Sequence, residues 1–142
     1  MKTLRIHSLD KGWCDKDAMM LHAAFQLLVD FMEQEEPDQI VDWGADPLHK
    51  KAWKEIRSLY RWWTRTRPAR RDPLDEKGLK RPPMRWETVP GSDCKRLREY
   101  DKKEYPEYER AFRKHVRLEK KWEDEDQKNF HRLVEVRGFL WT

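Results

Sequence analysis

A chain of 142 residues with 41% charged and 37% hydrophobic side chains is long enough for one core but has little apolar material to fill it. Its eight tryptophans must therefore supply much of that core, while two cysteines without paired spacing, and no apolar run of roughly 20 residues, exclude a disulfide scaffold, a cysteine metal centre and a membrane span. The net charge of +4 conceals an asymmetry: residues 1–46 hold four Lys/Arg against ten Asp/Glu, whereas residues 54–85 hold eleven against four.

Residues 1–12 alternate weakly, with Leu4 and Ile6 against Arg5 and His7, and predict one short strand. A helix follows from about Asp15 to Glu35, with Asp15 and Asp17 as cap residues and Pro37 beyond its end. On a wheel of 100° per residue, Leu21, Ala24, Phe25, Leu28, Val29, Phe31 and Met32 fill an arc of about 160°. Ala18, Met20 and Leu27 widen it to about 200°, which places this helix at the centre of the fold. The second helix has the clearest start, with Asp46 as cap and Pro47 at the first helical position. Leu48, Ala52, Ile56, Leu59, Tyr60 and Trp63 share one face of it, and Lys50, Lys54, Arg57, Arg61 and Arg65 lie opposite. Pro68 requires the helix to end before it. The wheel separates the two adjacent tryptophans: Trp63 sits at the middle of the apolar stripe, while Trp62 falls at its edge beside the arginines and is left free for contact.

Residues 67–92 are rich in Pro, Gly, Lys and Arg and read as a long loop, with 84–89 as a short strand paired to residues 4–7. From Asp93 the chain turns helical again, capped by Ser92 or Asp93, and Pro106 marks a kink or a new start. Tyr105, Tyr108, Phe112, Val116 and Trp122 make the narrow stripe of a peripheral helix. The run Glu123-Asp124-Glu125-Asp126 suits the first turn of a further helix, with Phe130, Leu133, Val134 and Val136 as its apolar face. Gly138 takes the left-handed cap position, from which Phe139, Leu140 and Trp141 pack back on the core. The expected architecture is a mainly α single domain over residues 1–142, a small bundle of about four helices with a minor two-stranded β element.

Chemistry concentrates in residues 57–85. Arg61, Trp62, Arg65, Arg67, Arg70 and Arg71 are the predicted partner-binding residues, because rings stack while guanidinium groups pair with anions. An acidic protein surface and single-stranded nucleic acid both fit, with Trp62 or Trp86 supplying the ring for the second, and the chain's own acidic part is a third acceptor of these charges. One polar stripe on the first helix, His22, Gln26, Asp30 and Glu33, and the pair Glu123/Asp126 repeat the carboxylate spacing of all-helical nucleotide pyrophosphatases. That supplies an enzymatic reading, a metal-dependent nucleotide hydrolase, although a solvated amphipathic face explains the same residues. The five histidines are scattered, with no metal-ligand spacing, no nucleophile elbow and no glycine-rich phosphate loop. The expectation is no catalytic residue, no metal and no cofactor, with Cys14 and Cys94 as reduced thiols.

Three stretches together resemble a family of small tailed-bacteriophage proteins without an assigned activity. They are Leu21-His22-Ala23-Ala24-Phe25-Gln26-Leu27-Leu28-Val29-Asp30-Phe31, the run from Ala52-Trp53 to Arg61-Trp62-Trp63, and the ending Arg132-Leu133-Val134-Glu135-Val136-Arg137-Gly138-Phe139-Leu140-Trp141-Thr142. The resemblance implies a viral origin and the host bacterial cytoplasm as the working compartment. It carries no functional residue with it. The leading expectation is a non-enzymatic phage accessory protein that binds the acidic surface of a host or viral protein, with no membrane partner. The alternatives are nucleic-acid binding through residues 57–85, the helical nucleotide hydrolase, and a virion component.

Overall fold

The computed structural model describes residues 3–141. Met1 and Lys2, the first positions of the expected strand, and Thr142, the end of the last run, lie outside the described residues. The fold is mainly α, as expected. Its elements are α1 (Lys16–Gln34), the short α2 (Pro37–Ile40), α3 (Pro47–Arg61) continued by a π-helical turn (Trp62–Thr66), β1 (Trp86–Thr88), β2 (Lys95–Leu97) and α4 (Pro106–Val136). The chain forms two compact units, one of residues up to Arg70 together with those from Glu123 onward, the other Arg71–Trp122.

The first unit has its core where α1 was expected to lie. Phe25, Leu28 and Phe31 from α1, Ile56 and Leu59 from α3, Leu133 and Val136 from α4, and Trp43, Trp62 and Trp63 form one buried cluster. The wide arc of α1 is not buried throughout, since Met20 and Leu27 are exposed. Leu48, expected on the apolar face of α3, is exposed as well, because it stands in the first turn, beyond the reach of the core. Asp46 caps α3 as its sequence predicts: its carboxylate accepts the His49 backbone N–H at 2.9 Å, with Pro47 at the first helical position. Two aromatic stacks fill the core, Phe25 on Trp63 at 4.5 Å between ring centres and Trp43 on Trp53 at 4.7 Å. The Trp43 indole N–H is satisfied by the Pro37 carbonyl at 3.0 Å.

Residues 3–8 form no strand. They are fastened to α1 through the stripe expected to be solvated: the His7 backbone N–H donates to Gln26 Oε1 at 3.0 Å and Ser8 Oγ meets His22 Nδ1 at 2.8 Å. Gln26 is buried, and its amide N–H in turn donates to Asp30 at 2.8 Å. A buried amide bonded on both ends fixes this segment without a β ladder.

In the second unit β1 pairs not with residues 4–7 but with β2, antiparallel, in the register Trp86↔Leu97, Glu87↔Arg96 and Thr88↔Lys95. The stretch expected to be helical from Asp93 is thus a strand. Its cause is the Pro90-Gly91 turn, in which Ser92 N–H donates to the Val89 carbonyl at 3.1 Å and Gly91 takes φ 76°. Proline at the second position and a positive φ at the third define a type II turn, which folds the chain back on itself. Helix α4 begins at Pro106 and runs unbroken for 31 residues. The acidic run 123–126 lies inside it rather than at the start of a further helix, because no Gly or Pro interrupts the sequence between Pro106 and Gly138. Gly138 closes a short 3₁₀ turn (Arg137–Phe139) instead of adopting a left-handed cap, and Trp141 stays exposed while Phe139 and Leu140 pack on the core.

Candidate functional site

Trp62 is not the free ring that the helical wheel predicts. It is 8% exposed, against 5% for Trp63, and its centroid lies 5.3 Å from Phe25. Its indole N–H donates to Glu125 Oε1 at 2.5 Å. Trp62 is still in phase with α3, its N–H bonding back to the Ser58 carbonyl, so the wheel gives its direction correctly and misses only what stands there. Phase is lost beyond it, where the Arg67 N–H bonds back five residues to the Trp62 carbonyl at 2.8 Å.

The predicted arginines divide into two sets. Arg67 and Arg70 point inward and pair with the acidic residues of α4. Arg67 grips Asp126 through Nε (3.2 and 3.3 Å) and Nη2 (3.0 Å), and its guanidinium lies 4.8 Å from the Trp63 ring centre. Arg70 Nη2 bridges Asp126 at 2.7 Å and Glu125 at 3.0 Å. Burial works against the charged form of both carboxyls, yet the hydrogen bonds from Trp62 and the two arginines prevail and hold Glu125 and Asp126 below their ordinary values. His22 stands edge-on to Trp63 at 4.9 Å, and burial first, then the Arg67 charge, lowers its pKa. This cluster closes on itself. Each of its charges already has an opposite one, so it is an internal brace of the first unit. Arg71 is exposed and makes its own contact within the chain.

Arg61 and Arg65 differ. With Lys50, Lys54 and Arg57 they form a ridge of exposed cations spaced three or four residues apart along α3 and its π turn. Fifteen residues of helix at 1.5 Å each spread these charges over roughly 22 Å. Among the described residues none of the five pairs with a carboxylate within 4.0 Å, and Arg57 instead lies over the Trp53 ring at 5.5 Å. Next to the ridge runs a shallow groove of about 220 Å³, lined by Met32, Arg57, Tyr60, Arg61, Thr64 and Arg65. Tyr60 is held there by its hydroxyl, which donates to Glu33 at 2.7 Å and is thereby kept protonated above its ordinary pKa. No family model, curated protein or solved structure matches this chain. The ridge must be read from its own geometry.

The carboxylates of the hydrolase reading are dispersed. Asp30 accepts from Gln26 and Gln34, Glu33 from Tyr60, and Asp126 from the two arginines. Among the described residues no three His, Cys, Asp or Glu side chains are grouped as metal ligands. Likewise, among the described residues no helix is long and apolar enough to cross a membrane.

The structure also brings together groups that sequence reasoning missed. In the second unit the exposed hairpin places Trp86 directly across from Leu97, and Tyr100 donates to Glu109 at 2.6 Å, which raises the tyrosine to about 12. His115 lies between Asp72 at 2.8 Å and Glu119 at 3.2 Å. The Pro90-Gly91 pair was the available signal for the hairpin. Nothing local announces the tyrosine and histidine contacts.

Proposed function

We propose that this chain is a non-enzymatic binding protein whose α3 ridge takes an acidic, amphipathic segment of another protein. The observation that carries this reading is the groove of Met32 and Tyr60 edged by Arg57, Arg61 and Arg65. Guanidinium groups around a partly apolar floor suit a segment that offers carboxylates and an apolar side chain together. A nucleic-acid backbone would use the charges and leave that floor empty. Of the rings on this face, Trp53 is covered by Trp43 and Arg57, and Tyr60 is half-buried with its hydroxyl tied to Glu33. Long-range attraction by the ridge would speed the encounter and make it sensitive to salt. The resemblance of α1, α3 and the C-terminal run to tailed-bacteriophage proteins supports the setting: an accessory protein that meets a host or viral partner in the bacterial cytoplasm.

The test is retention of partners by the tagged protein from nuclease-treated lysates of infected bacteria. Arg61→Glu with Arg65→Glu is expected to abolish retention of a discrete protein while leaving the melting temperature within a few degrees, because exposed charges contribute little to stability. Full retention by that double variant overturns the reading. Loss of every retained species on nuclease treatment of the wild-type sample does so too.

A further inference from the structure

The outer face of α1 is poorly suited to water. Lys16, Met20, Ala23, Leu27, Asp30 and Gln34 follow one another at spacings of four, three, four, three and four residues, and share an arc of about 80°. A solvated face should be polar throughout, yet the middle of this one is apolar. Met20 is 61% exposed and Leu27 55%, with the small Ala23 between them. Its ends are charged, a cation at Lys16 and an anion at Asp30, each seven residues from Ala23. Among the described residues neither has an ion-pair partner, and Asp30 accepts the side-chain amides of Gln26 and Gln34.

Two further features flank the stripe on opposite sides of its centre. Trp13, ten residues before Ala23, is 88% exposed, the most exposed large apolar side chain among the described residues. Seven to twelve residues after Ala23, the end of α1 borders a cavity of about 750 Å³. Leu4, Leu27, Phe31 and Leu140 give this cavity apolar walls. Its charges are of both signs, Arg5 and Arg137 with Asp30 and Glu35, so it favours neither a polyanion nor a polycation. A large neutral side chain with one N–H to donate suits it, and an indole is such a group.

We propose that this face of α1 pairs with the same face of a second copy of the chain, antiparallel about a two-fold axis at Ala23, with Trp13 of each copy seated in the cavity of the other. In a two-fold interface every contact occurs twice, and residues at equal distances on opposite sides of the axis meet. Lys16 of one copy then meets Asp30 of the other, Met20 packs beside Leu27, and Trp13 arrives about 15 Å from the axis, where the cavity lies. The small Ala23 at the axis lets the two helices approach closely. A parallel pair would instead set Lys16 against Lys16 and Asp30 against Asp30, and would bring each Trp13 to the other rather than to a cavity. Nineteen residues make fewer than three heptads, too short a seam to hold alone. Much of the association therefore rests on the two indoles, each covering about 150–250 Å². Met32 of the ridge groove lies on the opposite side of α1, so this pairing leaves the α3 ridge open and does not depend on it.

Sedimentation velocity of the purified full-length chain across the micromolar range tests the proposal. The wild type is expected to pass from monomer to dimer as concentration rises. Trp13→Ala and Leu27→Glu should each weaken association by roughly tenfold or more. Both side chains are exposed, so the melting temperature of the dilute protein should stay unchanged. Lys16→Glu should weaken association as well, because it sets like charges across the interface. Orientation is read by cross-linking with Cys14 and Cys94 replaced by serine. A short bifunctional maleimide should join two copies of the Ala23→Cys variant but not of Lys16→Cys, whose two sites stand about 21 Å apart. Arg61→Glu with Arg65→Glu should leave association unchanged, which separates its failure from that of the ridge. A monomer at every concentration, a trimer or larger species, a dimer indifferent to Trp13→Ala, or cross-linking of Lys16→Cys as readily as Ala23→Cys would each overturn the proposal.

Discussion

Trp62 and Trp63 meet the same ring, Phe25, from two directions, and each has an arginine over it, Arg70 for Trp62 and Arg67 for Trp63. Adjacent residues on a regular helix point about 100° apart, which is why the wheel sends one inward and one outward. An indole is large enough to bridge that angle when a second wall stands beside the helix. Here α4 is that wall, and Glu125 accepts the hydrogen bond of the indole N–H. Both Trp62→Ala and Trp63→Ala are therefore expected to destabilise the first unit by about 3–5 kcal/mol in urea unfolding. A loss below about 1 kcal/mol for Trp62→Ala would show its ring to be dispensable. Trp62→Phe isolates the polar part: it keeps most of the packing, removes the donor to Glu125, and should cost about 1 kcal/mol beyond the change in volume.

At the scale of elements, the basic segment that composition marks as one feature is two. The inward pair Arg67 and Arg70 tie the end of the α3 continuation to the middle of α4, and the bidentate contact of Arg132 with Glu55 at 2.8 and 3.0 Å ties α4 back to α3 one step further along. Reversing Arg67 and Arg70 to glutamate would set two added negative charges against Glu125 and Asp126 in a partly buried site. Thermal unfolding should show a loss of several kcal/mol, large enough to unfold the first unit. Reversal of Arg61 and Arg65 should move stability by less than about 1 kcal/mol. Similar losses for the two double variants would contradict this division. Local signals made much of the fold legible. Asp46-Pro47 announces α3, whereas Pro90-Gly91 and the absence of Gly and Pro from 107 to 137 are local signals passed over in expecting a helix from Asp93 and a further one at 123. What remained hidden was the choice of partner. Arg67 meets Asp126 across 59 residues and Trp62 meets Glu125 across 63, and no pattern of period 2 or 3.6 encodes a contact at that separation. The candidate ridge was legible for the same reason inverted: Arg61 and Arg65 have no distant partner, so the exposed face drawn by the wheel is the face that exists.

For the whole molecule, the charge asymmetry along the chain becomes a pH dependence with a definite sign. His22 has its pKa lowered in the folded state, by burial first and then by Arg67, so the unfolded chain takes up its proton at higher pH than the folded one does. Stability conferred by the neutral imidazole is complete above the unfolded value of about 6.5 and declines as pH falls below it, until the folded pKa is reached. Glu55, Glu125 and Asp126 are also lowered, so their contribution is present above about pH 4 and is lost as pH falls through their folded values. Acid acts in one direction at both stages. Melting temperature should decline between about pH 7 and pH 5 and decline again below about pH 4. His22→Gln should flatten the first stage and leave the second. Arg70→Met should weaken the second without abolishing it, because Arg67 still holds Asp126, Trp62 still holds Glu125 and Arg132 still holds Glu55. The second unit answers at the opposite end. The Glu109 carboxylate holds the Tyr100 proton to about 12, so alkaline pH removes stability from that unit as it rises from about 10 toward that value. Phenolate absorbance should then show Tyr100 titrating last, and Glu109→Gln should return it to the ordinary range. A single common titration of all four tyrosines in the wild-type protein would mean that the Tyr100–Glu109 bond does not hold in solution.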